Sequence, residues 1–221
     1  MTSDETHAIP LGQRLADEQD ADAVVEGWSR LFAYLVIAIV VGFTVVLPFF
    51  GLLLALAAAS YLRAGELHAR RHGDEGLLRV LAGPLTAPLD LARGAAGTLV
   101  SLPYAAVFAV AVPLLIMSVS AVHVQVAPLV GAAWGAGAAA YVVLAAPGVR
   151  TPRRHLVRVF TALAAEPRRI AVAGVLLCVL ALAAVAGAIV LQPRFSPVYE
   201  LKNSIAQELS NFQHSVRQHV S

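Results

Sequence analysis

Charged residues are scarce in this sequence. Asp, Glu, Lys and Arg together make up 14% of its 221 residues, whereas soluble domains carry about 25%. Cysteine is scarcer still, because Cys178 is the only one and stands inside an apolar run. An intrachain disulfide and a zinc site built from cysteines are therefore excluded. Long basic runs with interleaved aromatic residues are also missing, so we expect no nucleic-acid partner.

Long charge-free runs are what the sequence has instead. The longest fills the 32 residues between Arg30 and Arg63. Since about 20 apolar residues cross a bilayer core of about 30 Å, this run is too long for one comfortable span, and Pro48 divides it. It admits two interpretations: one kinked helix, or a hairpin of two helices at about 24–46 and 49–71. Either one makes the chain an integral membrane protein.

The flanks of this run favour the hairpin. Trp28 with Arg30, and Tyr61 with Arg63, place an aromatic ring beside a long cationic side chain at each end. This pairing is typical of two helix ends that return to one membrane interface. A hairpin also puts thirteen of the sixteen basic residues on one side, against eleven for a single helix. The side with the excess of Arg and Lys is predicted to be cytoplasmic, and the C-terminus falls on the far side in both cases.

Three further segments are predicted to cross the bilayer, since each is apolar and free of charged residues: 98–121, 126–147 and 170–191. The link between the first two is very short and centres on His123, so these two segments form an antiparallel hairpin. The predicted fold class is therefore all-α, a polytopic integral membrane helical bundle with five transmembrane helices. The alternative has four, with the first uncharged run as a single helix.

Two cytoplasmic segments are too apolar for solvated loops and too interrupted for spans. Residues 73–97 carry leucines near helical spacing and predict a short interfacial helix that is interrupted at Gly83 and Pro84. On residues 150–169, one predicted helix face combines apolar and basic side chains: Leu156, Val157, Phe160 and Leu163 beside Arg153, Arg154 and Arg158. Anionic lipid headgroups attract such faces. Ordinary anchoring of the cytoplasmic side is the favoured interpretation, and a specific lipid or protein docking site is the alternative. The predicted partners are the lipid bilayer and its anionic headgroups.

The two ends of the chain differ in character. Residues 1–23 are polar and acidic and predict a flexible tail. Residues 193–221 predict an amphipathic helix, because apolar residues recur at spacings of three and four from Val198 to Val220. Its opposite face is polar but mostly uncharged. We expect this helix to dock on the protein's own surface or on lipid, with self-association or a partner helix as the alternative.

Residues with chemical potential are few. His68 and His72 share a helix face at the spacing of zinc ligands, but Arg70 and Arg71 lie between them and would repel a cation. They are interpreted as interfacial histidines. The membrane serines, Ser101, Ser118 and Ser120, lack a nucleophile–base arrangement and are expected to hydrogen-bond to backbone carbonyls. We therefore predict no catalytic, cofactor-binding or metal-binding residues, no cofactor and no enzymatic activity.

Small residues recur inside two of the spans. Gly131 and Gly135 form a small-xxx-small pattern that Ala133 and Gly137 extend, and Ala183 with Gly187 repeats the spacing in the last span. Such patterns let helix backbones approach closely. Packing between helices of the same chain is the favoured interpretation, and a homo-oligomer interface is the alternative.

Residues 28–160 combine a proline-broken apolar hairpin, an amphipathic cytoplasmic piece and a second hairpin that Leu102-Pro103-Tyr104 opens. This layout resembles the small membrane sensor modules found beside signalling domains in actinobacteria. The resemblance is one of layout, without a kinase domain in this chain, and it implies no role for any single residue. Fifteen arginines against one lysine, with heavy use of alanine, are likewise typical of a GC-rich bacterial genome.

The centres of the predicted spans carry no charged residue. Ion-coupled transporters, proton relays and voltage sensors place charged groups there, so these classes are disfavoured. We predict a non-enzymatic, multi-pass protein of the cell membrane that acts as a sensor-like or assembly and interaction module. The alternative is a membrane component of a transporter or a small oligomeric pore. A homo-oligomer or a membrane protein partner is compatible with both.

Overall fold

The structure, a computed structural model, describes residues 11–72, 77–122, 127–145, 150–163, 167–191, 193 and 207–211. These residues are almost entirely helical and contain no strand. The helices are α1 (Leu11–Val46), α2 (Pro48–His72), α3 (Leu77–Thr86), α4 (Pro88–Val122), α5 (Pro128–Ala145), α6 (Arg150–Leu163) and α7 (Pro167–Val190). The predicted all-α fold is confirmed.

The first uncharged run is a hairpin of α1 and α2, and Leu47 alone separates the two helices. The Leu47 N–H donates to the Phe43 carbonyl at 2.9 Å, and the Gly51 N–H donates to the Leu47 carbonyl at 2.7 Å. Gly51 is needed here because a Cβ on it would lie 2.3 Å from Cα of Thr44 on the other helix. The hairpin prediction is confirmed, and the single kinked helix is wrong.

Five helical segments are long and apolar enough to cross a membrane: Val24–Val46, Pro48–Arg71, Pro88–Val119, Pro128–Ala145 and Ile170–Val190. Each agrees with a predicted span, although α4 begins ten residues earlier than the predicted residue 98. The architecture is therefore that of a multi-pass membrane protein. Spans that are consecutive in the chain alternate in direction, so that α2 runs antiparallel to both α1 and α4, whereas α7 runs parallel to α1.

The small residues of α5 pack within the chain, as predicted. A Cβ on Gly135 would lie 2.5 Å from the Ala109 carbonyl oxygen of α4, and one on Gly137 would lie 2.7 Å from Val45 of α1. Helix α7 packs mainly on α1 and leaves most of its side chains exposed. It approaches α1 most closely at Ala184, because a Cβ on Gly42 would lie 2.9 Å from the Ala184 Cβ. Ala183, which the sequence pattern indicated, is exposed.

The segment predicted as one interfacial helix over 73–97 is divided differently. Pro84 lies inside α3, and the helix break falls at Ala87. The reason is Pro88, because a proline disfavours helical geometry in the residue before it and suits the first position of a helix. The Asp90 N–H donates to the Ala87 carbonyl at 3.0 Å and starts α4. Residues 73–76 lie outside the described residues.

Helix α6 packs its predicted apolar face against the bundle. Leu156 is buried in the main core, Val157 and Phe160 pack against that core, and the Phe160 ring lies edge-on to Phe32 of α1 at 5.4 Å. At the N-terminus, α1 already begins at Leu11, and residues 1–10 lie outside the described residues. So does most of the predicted C-terminal helix, of which residues 207–211 are described and are helical.

Candidate functional site

Buried polar side chains gather at one end of the bundle, where α3 and α6 meet the ends of α1, α2 and α4. We call this region the basic end and define it as residues 24–30, 60–71, 77–97, 150–163 and 167–170, together with the adjoining Thr98 and Ser101. Among the described residues, it holds seven of the eight buried polar or charged side chains: Ser29, Arg63, Glu66, Asp90, Thr98, Ser101 and His155. The eighth, Thr44, lies at the opposite end. Any chemistry beyond apolar packing is therefore concentrated here.

Glu66 joins α2 to α6. Its residue is 3% exposed, and its two carboxylate oxygens accept hydrogen bonds from different arginines. Arg70, one turn further along α2, donates to Oε1 at 3.1 Å, and Arg158 of α6 donates to Oε2 at 2.8 Å. A buried carboxylate is tolerated only when it is paired and hydrogen-bonded. Glu66 meets both conditions through a residue that is 92 positions away in the chain.

Asp90 joins the end of α2 to the start of α4. It is 2% exposed and lies in the first turn of α4, where the helix dipole favours a negative charge. Arg71 donates to its Oδ1 at 2.7 Å, and the His68 Nδ1 lies 3.6 Å from its Oδ2. Arg93 reaches within 3.9 Å from the next turn of α4. Asp90 thus collects basic groups from both helices.

Arg63 differs from these arginines. It is 8% exposed, and its guanidinium donates to the Ser101 hydroxyl of α4 at 3.2 Å. Ser101 in turn donates to the Thr98 carbonyl at 2.7 Å. Within the part of the chain that the structure describes, no carboxylate lies within ion-pair distance of Arg63. Its cationic group is therefore buried beside a neutral hydroxyl.

His155 anchors the middle of α6. The side chain is buried, its ring lies edge-on to Tyr61 at 6.3 Å, and it fills the space above Gly65 of α2. A Cβ on Gly65 would lie 2.3 Å from the His155 Nε2. The Tyr61 hydroxyl also donates to the Leu81 carbonyl of α3. Residues 61–66 of α2 are thus in contact with both interfacial helices.

Among the side chains that the structure describes, those that the sequence singled out do not form a reactive centre. His68 contacts Asp90, and the side chain of His72 lies outside the described residues. No group of three His, Cys, Asp or Glu side chains suited to a metal occurs among the residues described. Ser118 donates to the Leu114 carbonyl at 2.8 Å, as predicted for a membrane serine. Ser101 is the exception, because it also accepts from Arg63.

Sequence reasoning missed Glu66 and Asp90 as the organising residues. A signal was present, because acids are rare between residues 27 and 165 and these two stand among arginines. No protein-family model, curated protein or solved structure matches the chain.

Proposed function

We propose that this protein is a non-enzymatic interaction module of a bacterial cell membrane. Its five spans hold α3 and α6 as a fixed platform at the membrane surface, and a separate membrane or peripheral protein couples to that platform. The observation that carries the proposal is the bridge from Glu66 of α2 to Arg158 of α6. An amphipathic helix that was held by lipid alone would need no buried acid beneath it.

The exposed surface of the basic end supports a partner of acidic character. Buried carboxylates fix α2, α4 and α6, which carry the exposed side chains of Arg70, Arg71, Arg93 and Arg154. Arg30 of α1 and Arg168 of α7 are exposed at the same end. Because these arginines stand on packed helices, little conformational entropy is lost when a partner binds them. Anionic lipid headgroups surround the same surface and add to its attraction for the membrane.

The hydrogen bonding of the two buried acids supports a non-enzymatic role. Glu66 and Asp90 each accept from arginines, and both residues are buried, so their oxygens are occupied in helix packing and are not open to a substrate. A general acid or base must instead lie within hydrogen-bond reach of the group with which it exchanges a proton. Both acids act as counterions in the packing of helices.

A photo-cross-linking experiment tests the proposal. A photoreactive amino acid replaces Arg154, which is exposed on α6, and in a control Leu182, which is exposed on the outer face of α7. We expect irradiation of intact membranes to give a discrete cross-linked product from position 154, with a second copy or another protein, and none from position 182. Equal cross-linking from both positions would contradict the proposal that α3 and α6 form a docking platform.

The identity of the product separates the two classes of function. A stoichiometric partner that hydrolyses nucleotides would contradict the interaction module and indicate that this protein is a transporter component. In that case, the complex is purified in mild detergent and reconstituted in liposomes, and solute flux across the liposome membrane is measured.

A further inference from the structure

Arg63 is a buried cation, and no acidic side chain among the residues that the structure describes pairs with it. A guanidinium carries five N–H donors and stays protonated at all physiological pH values. In the described structure, its hydrogen-bond partner is the neutral hydroxyl of Ser101. Glu66 lies one turn away on α2, but its two oxygens already accept from Arg70 and Arg158. Cations inside a membrane protein face a partner or a polar cavity, and the remaining N–H donors of Arg63 suit an external anion.

The missing side chain of Gly97 on α4 leaves such an anion a route to Arg63. A Cβ on Gly97 would lie 3.5 Å from the Arg63 Nη1, and Gly97 itself is exposed. A larger side chain at this position would cover the guanidinium. Residues four apart lie on the same helix face, so Arg93, Gly97 and Ser101 form a row along α4. The row leads from an exposed cation at the surface to the buried one.

The depth of this row matches the level of lipid phosphates. The α4 span ends at Val119, and a bilayer core of about 30 Å is crossed by about 20 residues. Counting that length back from Val119 reaches Val100. Gly97 therefore lies at the boundary between hydrocarbon and headgroups, where phosphate groups are abundant.

We propose that Arg63 binds a phosphate group that enters over Gly97, with the Ser101 hydroxyl as a second donor. Arginine suits this ligand because its planar fork matches phosphate geometry. The phosphate belongs to an anionic phospholipid or to free inorganic phosphate, and the two sources share the same recognition. The site is independent of protein docking at Arg154, so a failed cross-linking experiment leaves it intact.

Native mass spectrometry of the full chain in mild detergent tests the site. The probes are phosphatidylglycerol, phosphatidylcholine and diacylglycerol with identical acyl chains, and inorganic phosphate in a separate arm. We expect retention of phosphatidylglycerol and none of diacylglycerol, which lacks the phosphate. Millimolar inorganic phosphate that displaces the lipid would assign the site to free phosphate and support the anion chemistry. Equal retention of diacylglycerol and phosphatidylglycerol would overturn the proposal.

Three variants connect the binding to Arg63. Arg63→Gln is expected to bind phosphatidylglycerol about tenfold more weakly, equivalent to about 1.4 kcal/mol. Gly97→Leu keeps the arginine but covers it, so the same loss of binding is expected with a melting temperature no lower than that of the wild type. Ala96→Leu, at an exposed neighbouring position on α4, is the matched control and binds like wild type. If Arg63→Gln fails to fold, the comparison of phosphatidylglycerol binding by Gly97→Leu and by Ala96→Leu tests the site. Equal binding by these two variants would refute it.

Discussion

Arg158 of α6 donates a 2.8 Å hydrogen bond to the buried carboxylate of Glu66 on α2, and Arg70 donates to the other oxygen of the same carboxylate at 3.1 Å. The Arg158 side chain is 31% exposed and that of Arg70 is 59% exposed. One acid therefore has a long-range partner and a local one. The two arginines provide a direct comparison of how burial changes the strength of an ion pair.

Replacing Arg158 with Gln is expected to lower the free energy of unfolding by about 3 kcal/mol, because it removes the long-range partner of a buried carboxylate. Replacing Arg70 with Gln is expected to cost about 0.5 kcal/mol or less, as for exposed pairs one helical turn apart. Denaturant unfolding in detergent micelles measures both. Equal losses of unfolding free energy for the two variants would show that the bridge to α6 stabilises the protein no more than the exposed pair does.

Two glycines with different surroundings are expected to change the stability in opposite directions when each is replaced with alanine. Gly135→Ala places a methyl group 2.5 Å from the Ala109 carbonyl oxygen, so the helices must separate, and a loss of about 1–3 kcal/mol is expected. Gly27→Ala meets nothing within 4 Å and gains up to about 1 kcal/mol from the helix propensity of alanine. Thermal unfolding of the two variants measures the difference, and a stabilised Gly135→Ala would contradict the described packing.

The contact between Gly65 and His155 predicts a coupled pair. Gly65→Ala alone directs a methyl group into the imidazole ring, at 2.3 Å from its Nε2, and is expected to displace α6. His155→Ala alone loses a buried side chain. Because the second change makes room for the first, the double variant should lose less stability than the sum, by about 0.5–3 kcal/mol. A double-mutant cycle tests this coupling, and strictly additive losses of stability would contradict the contact between Gly65 and His155.

Cysteine labelling tests the hairpin topology. Cys178 is replaced by Ser, and single cysteines are then introduced at Glu26, Phe50 and Arg154, all of which are exposed. A membrane-impermeant thiol reagent is expected to reach positions 26 and 154 from the same side and position 50 from the opposite side. The positive-inside rule places the first two in the cytoplasm. Labelling of all three from one side would exclude the five-span arrangement.

The membrane architecture was largely predictable because its causes are local. The length of the run between Arg30 and Arg63, together with Pro48, predicted the hairpin. Packing registers were less predictable, since adjacent positions on a helix differ by about 100° in direction. The pattern therefore indicated Ala183, whereas Ala184 makes the close contact with Gly42.

The basic end was beyond the reach of sequence patterns for a different reason. Its central contact joins residues 92 positions apart, and nothing in the sequence near Glu66 identifies its partner on α6. The sequence alone predicts that Arg63 is an interfacial anchor beside Tyr61. Its burial follows from the approach of α4, which places Ser101 beside it.

The one-residue connection at Leu47 also bears on how the protein enters the membrane. Leu47, Pro48 and Phe49 are all apolar, so the turn carries no hydrophilic segment across the bilayer during insertion. The transfer cost that a hydrophilic external loop imposes is therefore avoided at this connection. Placing charged residues in this turn would slow biogenesis without changing any contact at the other end of the bundle.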